Sequence, residues 1–167
     1  MDEFKQLYTK YEKQIYKYLF YLSRDKFIAE ELTQETFFQV LTSIHRFKGH
    51  SKISTWLYQI AKYTFFNYLK KNEKVEPVAD LNSFQKENSN QETPENIYEK
   101  KEESIHVLHA LKKLKPSQQE IIILRFYNEL SFKEIGEIFN QSDTWARVNF
   151  YRAKNKLSAI MYGGEEV

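Results

Sequence analysis

The chain has no cysteine among its 167 residues, which excludes disulfide staples, thiolate zinc sites and cysteine nucleophiles and suits a reducing compartment. Glycine and proline are scarce, 4 and 3 residues, and no long alternation of β-branched residues occurs, so an all-α fold is expected. No apolar run approaches the roughly 20 residues needed to span a bilayer. The N-terminal stretch MDEFKQLYTKYEKQ is charged at helical spacing and does not read as a signal peptide. A soluble, cytoplasmic protein is the expectation. Also missing are a Gly-rich phosphate loop, a nucleophile elbow, an HExxH motif and a tight acidic cluster for two-metal chemistry. No catalytic residue, metal, cofactor or small-molecule substrate is therefore expected, and any chemistry belongs to a partner.

The net charge of +2 conceals an uneven distribution. Residues 1–71 hold 12 basic against 7 acidic side chains, residues 72–103 hold 4 against 9, and residues 104–167 hold 9 against 7. Two basic blocks thus flank an acidic middle, the pattern expected if both blocks approach phosphates and the connector does not. So small a net charge argues against strong non-specific DNA binding by the free chain.

In the first block, Phe4, Leu7, Tyr8, Tyr11, Ile15, Tyr18, Leu19 and Leu22 line one side of a helix over residues 3–22. After a break at Ser23-Arg-Asp-Lys26, a second helix runs from about Ile28 to Ile44, with Leu32, Phe37, Val40, Leu41 and Ile44 inward and Glu30, Glu31, Gln34, Glu35 and Gln39 outward. That acidic-amide face is read as a solvated surface, and on its own it settles nothing. A polar loop, Arg46 to Lys52 with Gly49, leads to a third helix from about Ser54 to Lys71. Trp56, Leu57, Ile60, Ala61, Thr64 and Tyr68 stand at core spacing on it. Its other side interleaves Lys62, Tyr63, Phe66, Asn67, Lys70 and Lys71, and rings among cations suit unstacked bases, each worth about 1–3 kcal/mol when it stacks. Phe65 and Phe66 are read either as such platforms or as the rim of a small core.

Residues 72–92 lose all periodicity and read as a linker, extended or disordered. Thr93-Pro94-Glu95 then has the form of an N-cap with proline at the first helical position, opening a helix with Ile97, Ile105, Leu108, Leu111 and Leu114 inward. His106 and His109 on that helix are read as ordinary surface or packing residues. Ser117-Gln-Gln-Glu120 and Ser131-Phe-Lys-Glu134 both have the capping-box form. After Ser131 a short helix to about Phe139, a break at Asn140-Gln-Ser142 and a restart at Asp143 or Thr144 give helix-turn-helix spacing, with Gly136 where two helices cross closely. The last helix turns Ala146, Phe150, Ala153, Leu157 and Ile160 inward. Asp143, Thr144, Arg147 and Val148 near its start would enter a major groove first, with Arg147 the leading candidate for a base or phosphate contact.

Two basic helical blocks, an aromatic-cation helix, a helix-turn-helix and an acidic tether together resemble the sigma-70 family of bacterial transcription initiation factors, of the small extracytoplasmic-function (group IV) type. The residues that carry the likeness are Ala29 to Phe37, Phe47-Lys-Gly through Thr55 to Ala61, and Asn67 to Lys71 in the first block. In the second they are Leu114-Lys-Pro, Ile123-Leu-Arg125, Leu130 to Ile135 and Tyr151-Arg-Ala-Lys154. The resemblance implies an all-α chain of two small helical domains: sigma region 2 over residues 1–71, a flexible acidic linker over 72–92, and sigma region 4 over 93–162. It implies core RNA polymerase, promoter DNA and a membrane-anchored anti-sigma factor as partners, the last releasing the protein under envelope stress. Glu31, Gln34, Glu35 and Phe38 would dock on the polymerase. Phe47, Lys48, His50, Ser51, Lys62, Tyr63, Phe66, Asn67, Lys70 and Lys71 would capture and hold the melted minus-10 strand, with Trp56 as a core support. Asp143, Thr144, Trp145, Arg147, Val148, Tyr151, Arg152 and Lys154 would read the minus-35 duplex. The acidic linker would run through the polymerase channel used by emerging RNA. Tyr63 stands where many members have asparagine, and Ser142-Asp-Thr-Trp-Ala146 where a Gly-Thr-Val-like run is frequent, so promoter preference is not carried over. A free-standing helix-turn-helix regulator and a helical adaptor without DNA are the alternatives.

Overall fold

Helix α1, Asp2–Ser23, ends because Arg24 turns into the left-handed region, φ +57°, and its N–H closes back on the Phe20 carbonyl at 2.6 Å. Asp25 then starts α2, Lys26–Ser43: its Oδ1 accepts from the Phe27 and Ile28 N–H groups at 2.8 and 3.0 Å, an N-cap that the break anticipated only as a break. A 3-10 turn, Ile44–Arg46, and a short loop lead into α3, Ile53–Lys71. The structure, a computed structural model, describes residues 2–72 and 105–163. The acidic connector and the Thr93-Pro94 cap lie outside the described residues. Residues 105–112 are helical (α4), followed by α5, Pro116–Ile122, which passes into a π-helical turn over Ile123–Tyr127. Then come α6, Phe132–Ile138, and α7, Asp143–Met161. Among the described residues there is no strand, and no helix is long and apolar enough to cross a membrane.

Helices α1, α2 and α3 pack on one another around Ile15, Leu19, Ala29, Val40, Leu57 and Ala61, all fully buried. Each large aliphatic chain buried there contributes about 1.5–3 kcal/mol of transfer free energy. Tyr8 and Phe37 meet edge to face at 4.9 Å and pin the start of α1 to α2. Thr33 and Thr36, buried on α2, satisfy their hydroxyls by donating to the Ala29 and Leu32 carbonyls one turn back. Phe65 belongs to the core and Phe66 packs half-buried beside it, 5.5 Å between rings, so the core reading of Phe65 holds. Leu41, expected inward, is instead 43% exposed. It follows the exposed Phe38 around α2, so the helix carries an apolar edge on its acidic face.

The second block has a small cluster of Leu108, Leu111, Leu114, Ile122 and Ala153, but most of its apolar residues join the first block's core. Ile121, Ile123, Leu124, Ile135 and Ala146 bury in one continuous cluster with α1–α3. One expected helix start fails. Pro116 occupies the first turn of α5 and moves the cap to Lys115, whose N–H is accepted by Gln118 Oε1 at 3.2 Å, so Ser117 and Glu120 do not form a capping box. Glu120 points instead into the seam between the blocks. The second box forms as expected: Ser131 Oγ accepts from the Glu134 N–H at 3.1 Å and Glu134 Oε1 accepts from the Ser131 N–H at 3.3 Å.

Candidate nucleic-acid interface

The helix-turn-helix is held by backbone contact. Gln141 N–H donates to the Gly136 carbonyl at 2.7 Å, and a Cβ on Gly136 would fall 2.6 Å from the Ser142 carbonyl oxygen, so no larger residue fits beneath this turn. The close approach is between α6 and the turn itself, not between two crossing helices as expected. Ser142 then caps α7 by accepting from the Trp145 N–H at 3.0 Å. This aims the positive end of the helix, with exposed Asp143, Thr144, Arg147 and Val148, out of the fold. Tyr151, Arg152 and Lys154 continue the exposed face one turn on, Lys154 lying 5.9 Å over the Tyr151 ring. Arg147 sits 5.4 Å over the Phe132 ring, itself flanked by Arg125 at 4.1 Å. Trp145 differs from its expected place: it is half-buried against Phe139, ring centroids 5.2 Å apart, and closes the turn rather than projecting from it.

In the first block Phe47 packs on Trp56 at 5.2 Å and fastens the loop to α3, consistent with Trp56 as a support. Gly49 adopts φ +75° with open space around it, so backbone conformation and not crowding favours glycine there. Lys48 and His50 are exposed on this loop and Ser51 is half-buried. Along α3, Tyr63 is 61% exposed, Lys70 and Lys71 are exposed at the helix end, and Phe66 and Asn67 are half-buried between them.

Lys62 is not where an open outer face would put it. Its ammonium lies 3.6 Å from Glu120 Oε2 and 3.5 Å over the Phe139 ring, both from the second block. Glu120 is 1% exposed, and its other oxygen accepts from the Tyr18 hydroxyl at 2.8 Å. Burial pushes the Glu120 carboxyl above its ordinary range, with Lys62 and the Tyr18 hydrogen bond acting against the shift. The same burial raises the Tyr18 hydroxyl, and Tyr58 is pushed up to about 12. Beside this pair Gln59 Nε2 donates to the Glu137 carbonyl at 3.0 Å, and an open cleft follows, lined by Tyr63, Phe66, Phe139 and Asn140. The motif reading missed Glu120, Gln59 and Glu137, since no local pattern marks a residue whose partner is distant in the chain.

A third surface lies on α2, where Glu31, Gln34, Glu35 and Phe38 are all exposed, Phe38 to 61%, and Leu41 extends them. Gln39 Nε2 donates to Glu35 Oε1 at 3.0 Å and steadies that carboxylate. His106 Nε2 lies 3.2 Å from the Met161 carbonyl, a packing contact, and His109 is exposed. Among the described residues no three acidic, histidine or cysteine side chains gather to hold a metal ion.

Two family descriptions match the chain in order: Sigma-70 region 2 over residues 7–75 and Sigma-70, region 4 over residues 106–157. The RNA polymerase sigma factor YlaC of Bacillus subtilis is 32% identical over 165 residues, covering 99% of this chain and 95% of the relative. The ECF RNA polymerase sigma factor SigM of the same organism is 32% identical over 161 residues, covering 95% of each. Among solved structures, the sigma factor RpoE of Bartonella quintana, in complex with the anti-sigma factor NepR, superposes with a TM-score of 0.72 at 18% identity over 99% of this chain and 100% of that one. CnrH, in complex with the cytosolic domain of CnrY, gives 0.71 at 17% over 97% and 89%. At those identities the structures establish the fold. With both regions matched in order and relatives alike over nearly their whole length, the chain belongs to the sigma-70 family of RNA polymerase sigma factors, in its extracytoplasmic-function group.

Proposed function

We propose that this sigma factor, which directs core RNA polymerase to promoters, divides promoter reading between its two blocks. The α7 face around Arg147 anchors the minus-35 duplex through the helix N-terminus and its cations. The loop from Phe47 to Ser51 and the α3 face of Tyr63, Phe66, Asn67, Lys70 and Lys71 take the melted minus-10 strand. The polymerase docks on Glu31, Gln34, Glu35 and Phe38, and supplies the chemistry. The observation that carries the assignment is the exposed α2 surface, where Phe38 and Leu41 stay in solvent among carboxylates although the core beneath is complete. A helix-turn-helix regulator acting alone has no use for such a face, and that reading is not favoured. The protein acts in the cytoplasm, where the polymerase is, and an anti-sigma factor holds it until envelope stress releases it; the analogy for such a partner is the Bartonella quintana sigma factor captured with the anti-sigma factor NepR.

The test is run-off transcription of genomic DNA by core polymerase with and without the chain. A discrete set of transcripts that depends on the chain is expected. No difference between the two reactions would remove the assignment.

A further inference from the structure

We infer that the outward face of α1, with Lys10, Lys13 and Lys17, is a third nucleic-acid contact, which grips the phosphate backbone of the promoter duplex between the minus-35 and minus-10 elements without reading its bases. The inference rests on the promoter reading proposed above.

The three lysines stand at steps of three and four, so one side of the helix carries them all, and each is exposed. Exposed Gln6 and Gln14 fill the neighbouring positions on that side. From Gln6 to Lys17 the side holds no carboxylate. Glu12 lies on the other flank, where it is hydrogen-bonded to the Tyr8 hydroxyl. Glu3 precedes Lys10 by two turns, about 10 Å along the axis. Among the described residues none of the three lysines has a carboxylate within ion-pair distance, in contrast to Lys62 on Glu120. Lys10 lies 5.2 Å over the ring of its neighbour Tyr11. Like charges at these spacings repel one another on a helix, and an external anion removes that repulsion.

What the row lacks decides which anion it takes. A protein partner is gripped through buried aromatic or aliphatic anchors, and no large hydrophobic side chain is exposed on α1; those that are exposed stand on α2, α3, the π-helical turn, α7 and Tyr162. A single strand is held by rings on which its bases stack, and those rings are on α3. Lysine and glutamine without a ring or a carboxylate are side chains that take duplex phosphates and leave the bases unread. The length fits as well. Lys10 to Lys17 spans about 10 Å of helix, and each strand of a duplex carries one charge per about 3.4 Å of axis, so the row faces about three phosphates. The duplex that joins the two elements must run beside the first block to deliver its melted strand to α3, which brings it within reach of α1.

The test compares the chain with a variant carrying Lys10→Gln, Lys13→Gln and Lys17→Gln, and with one carrying Lys10→Arg, Lys13→Arg and Lys17→Arg. Both residues suit an exposed helix, and circular dichroism checks the fold. On a labelled promoter fragment with core polymerase, the logarithm of affinity falls with that of salt by about 0.9 per phosphate neutralised. The glutamine variant should lower this slope by about 2.7, so its loss of affinity between about 50 and about 200 mM salt should be about 40-fold smaller than that of the unsubstituted chain. The arginine variant should keep the full slope, and binding to core polymerase should be equal in all three. Hydroxyl-radical protection of the duplex between the elements should weaken in the glutamine variant while protection at minus-35 stays. An unchanged slope in the glutamine variant overturns the inference. So does a loss of core binding in place of a slope change, which would assign the row to a protein. The same slopes, measured on the free full chain with a short duplex of random sequence at low salt, do not depend on promoter recognition. A difference there in a chain that fails to support transcription refutes only the functional reading, and no difference there overturns the role of the row even where transcription succeeds.

Discussion

The guanidinium of Arg147 lies over the ring of Phe132, 5.4 Å from its centre, so the first helix of the helix-turn-helix holds the leading cation of the second. Arg147→Ala should weaken binding of the holoenzyme to minus-35 DNA by about 1–3 kcal/mol if the side chain contacts a base. Core binding should be unchanged, and competition binding on duplex and polymerase separately measures both. Equal loss of both would point to misfolding. Phe132→Leu should keep the fold and give a smaller loss, through freer motion of Arg147.

Glu35→Lys places a cation in the middle of the exposed α2 face, where no core residue is touched. Core polymerase binding, measured by anisotropy of labelled protein, should fall while the unfolding free energy stays within the range expected of surface changes, about 0.5 kcal/mol. Normal assembly would refute the docking role.

Gly136→Ala sets a methyl 2.6 Å from the Ser142 carbonyl oxygen, against backbone that cannot swing away. A loss of about 1–3 kcal/mol is expected from overpacking. Ser131→Ala removes the acceptor for the Glu134 N–H and should cost about 1 kcal/mol. Denaturant unfolding of the full chain measures each, and a neutral Gly136→Ala would show that the turn is not held as described.

The helix-turn-helix was legible because its signals are local. The serine cap, the three-residue break, Gly136 and the stripe of Ala146, Phe150 and Ala153 all sit within a few residues of what they determine. Glu120 shows where such reading stops. Its spacing from Ser117 fits a cap, but Pro116 fixes the helix start two residues too early, and the carboxylate's partners lie 102 residues away at Tyr18 and on a different helix at Lys62. Contacts between two separately amphipathic blocks leave no periodic trace, so a reading helix by helix placed Lys62 in solvent. Leu41 was misassigned for a related reason: α2 carries an exposed apolar edge at Phe38 and Leu41, so it has more hydrophobic positions than its own core needs.

Stability of the fold should depend on pH through Glu120. Its carboxyl is raised by burial above the ordinary 4.5, so the folded chain binds the proton more tightly than a state with Glu120 in water. That contribution is fully present below 4.5 and is lost as pH rises through the raised value. Tyr18 and Tyr58, also pushed upward, stay protonated across this window. The unfolding free energy of the full chain, measured with denaturant, should therefore fall as pH rises through the raised value. Glu120→Gln should flatten the profile, and an unaltered profile in that variant would assign the dependence to another group.

Permanganate footprinting of a promoter recovered by run-off transcription tests the two-part reading most directly. With core polymerase and the chain together, protection over the minus-35 element and reactive, unpaired thymines at the minus-10 element are expected. Neither should appear with the polymerase or the chain alone. Protection by the chain without polymerase and with no reactive thymines would contradict the account and describe a regulator that binds duplex DNA by itself.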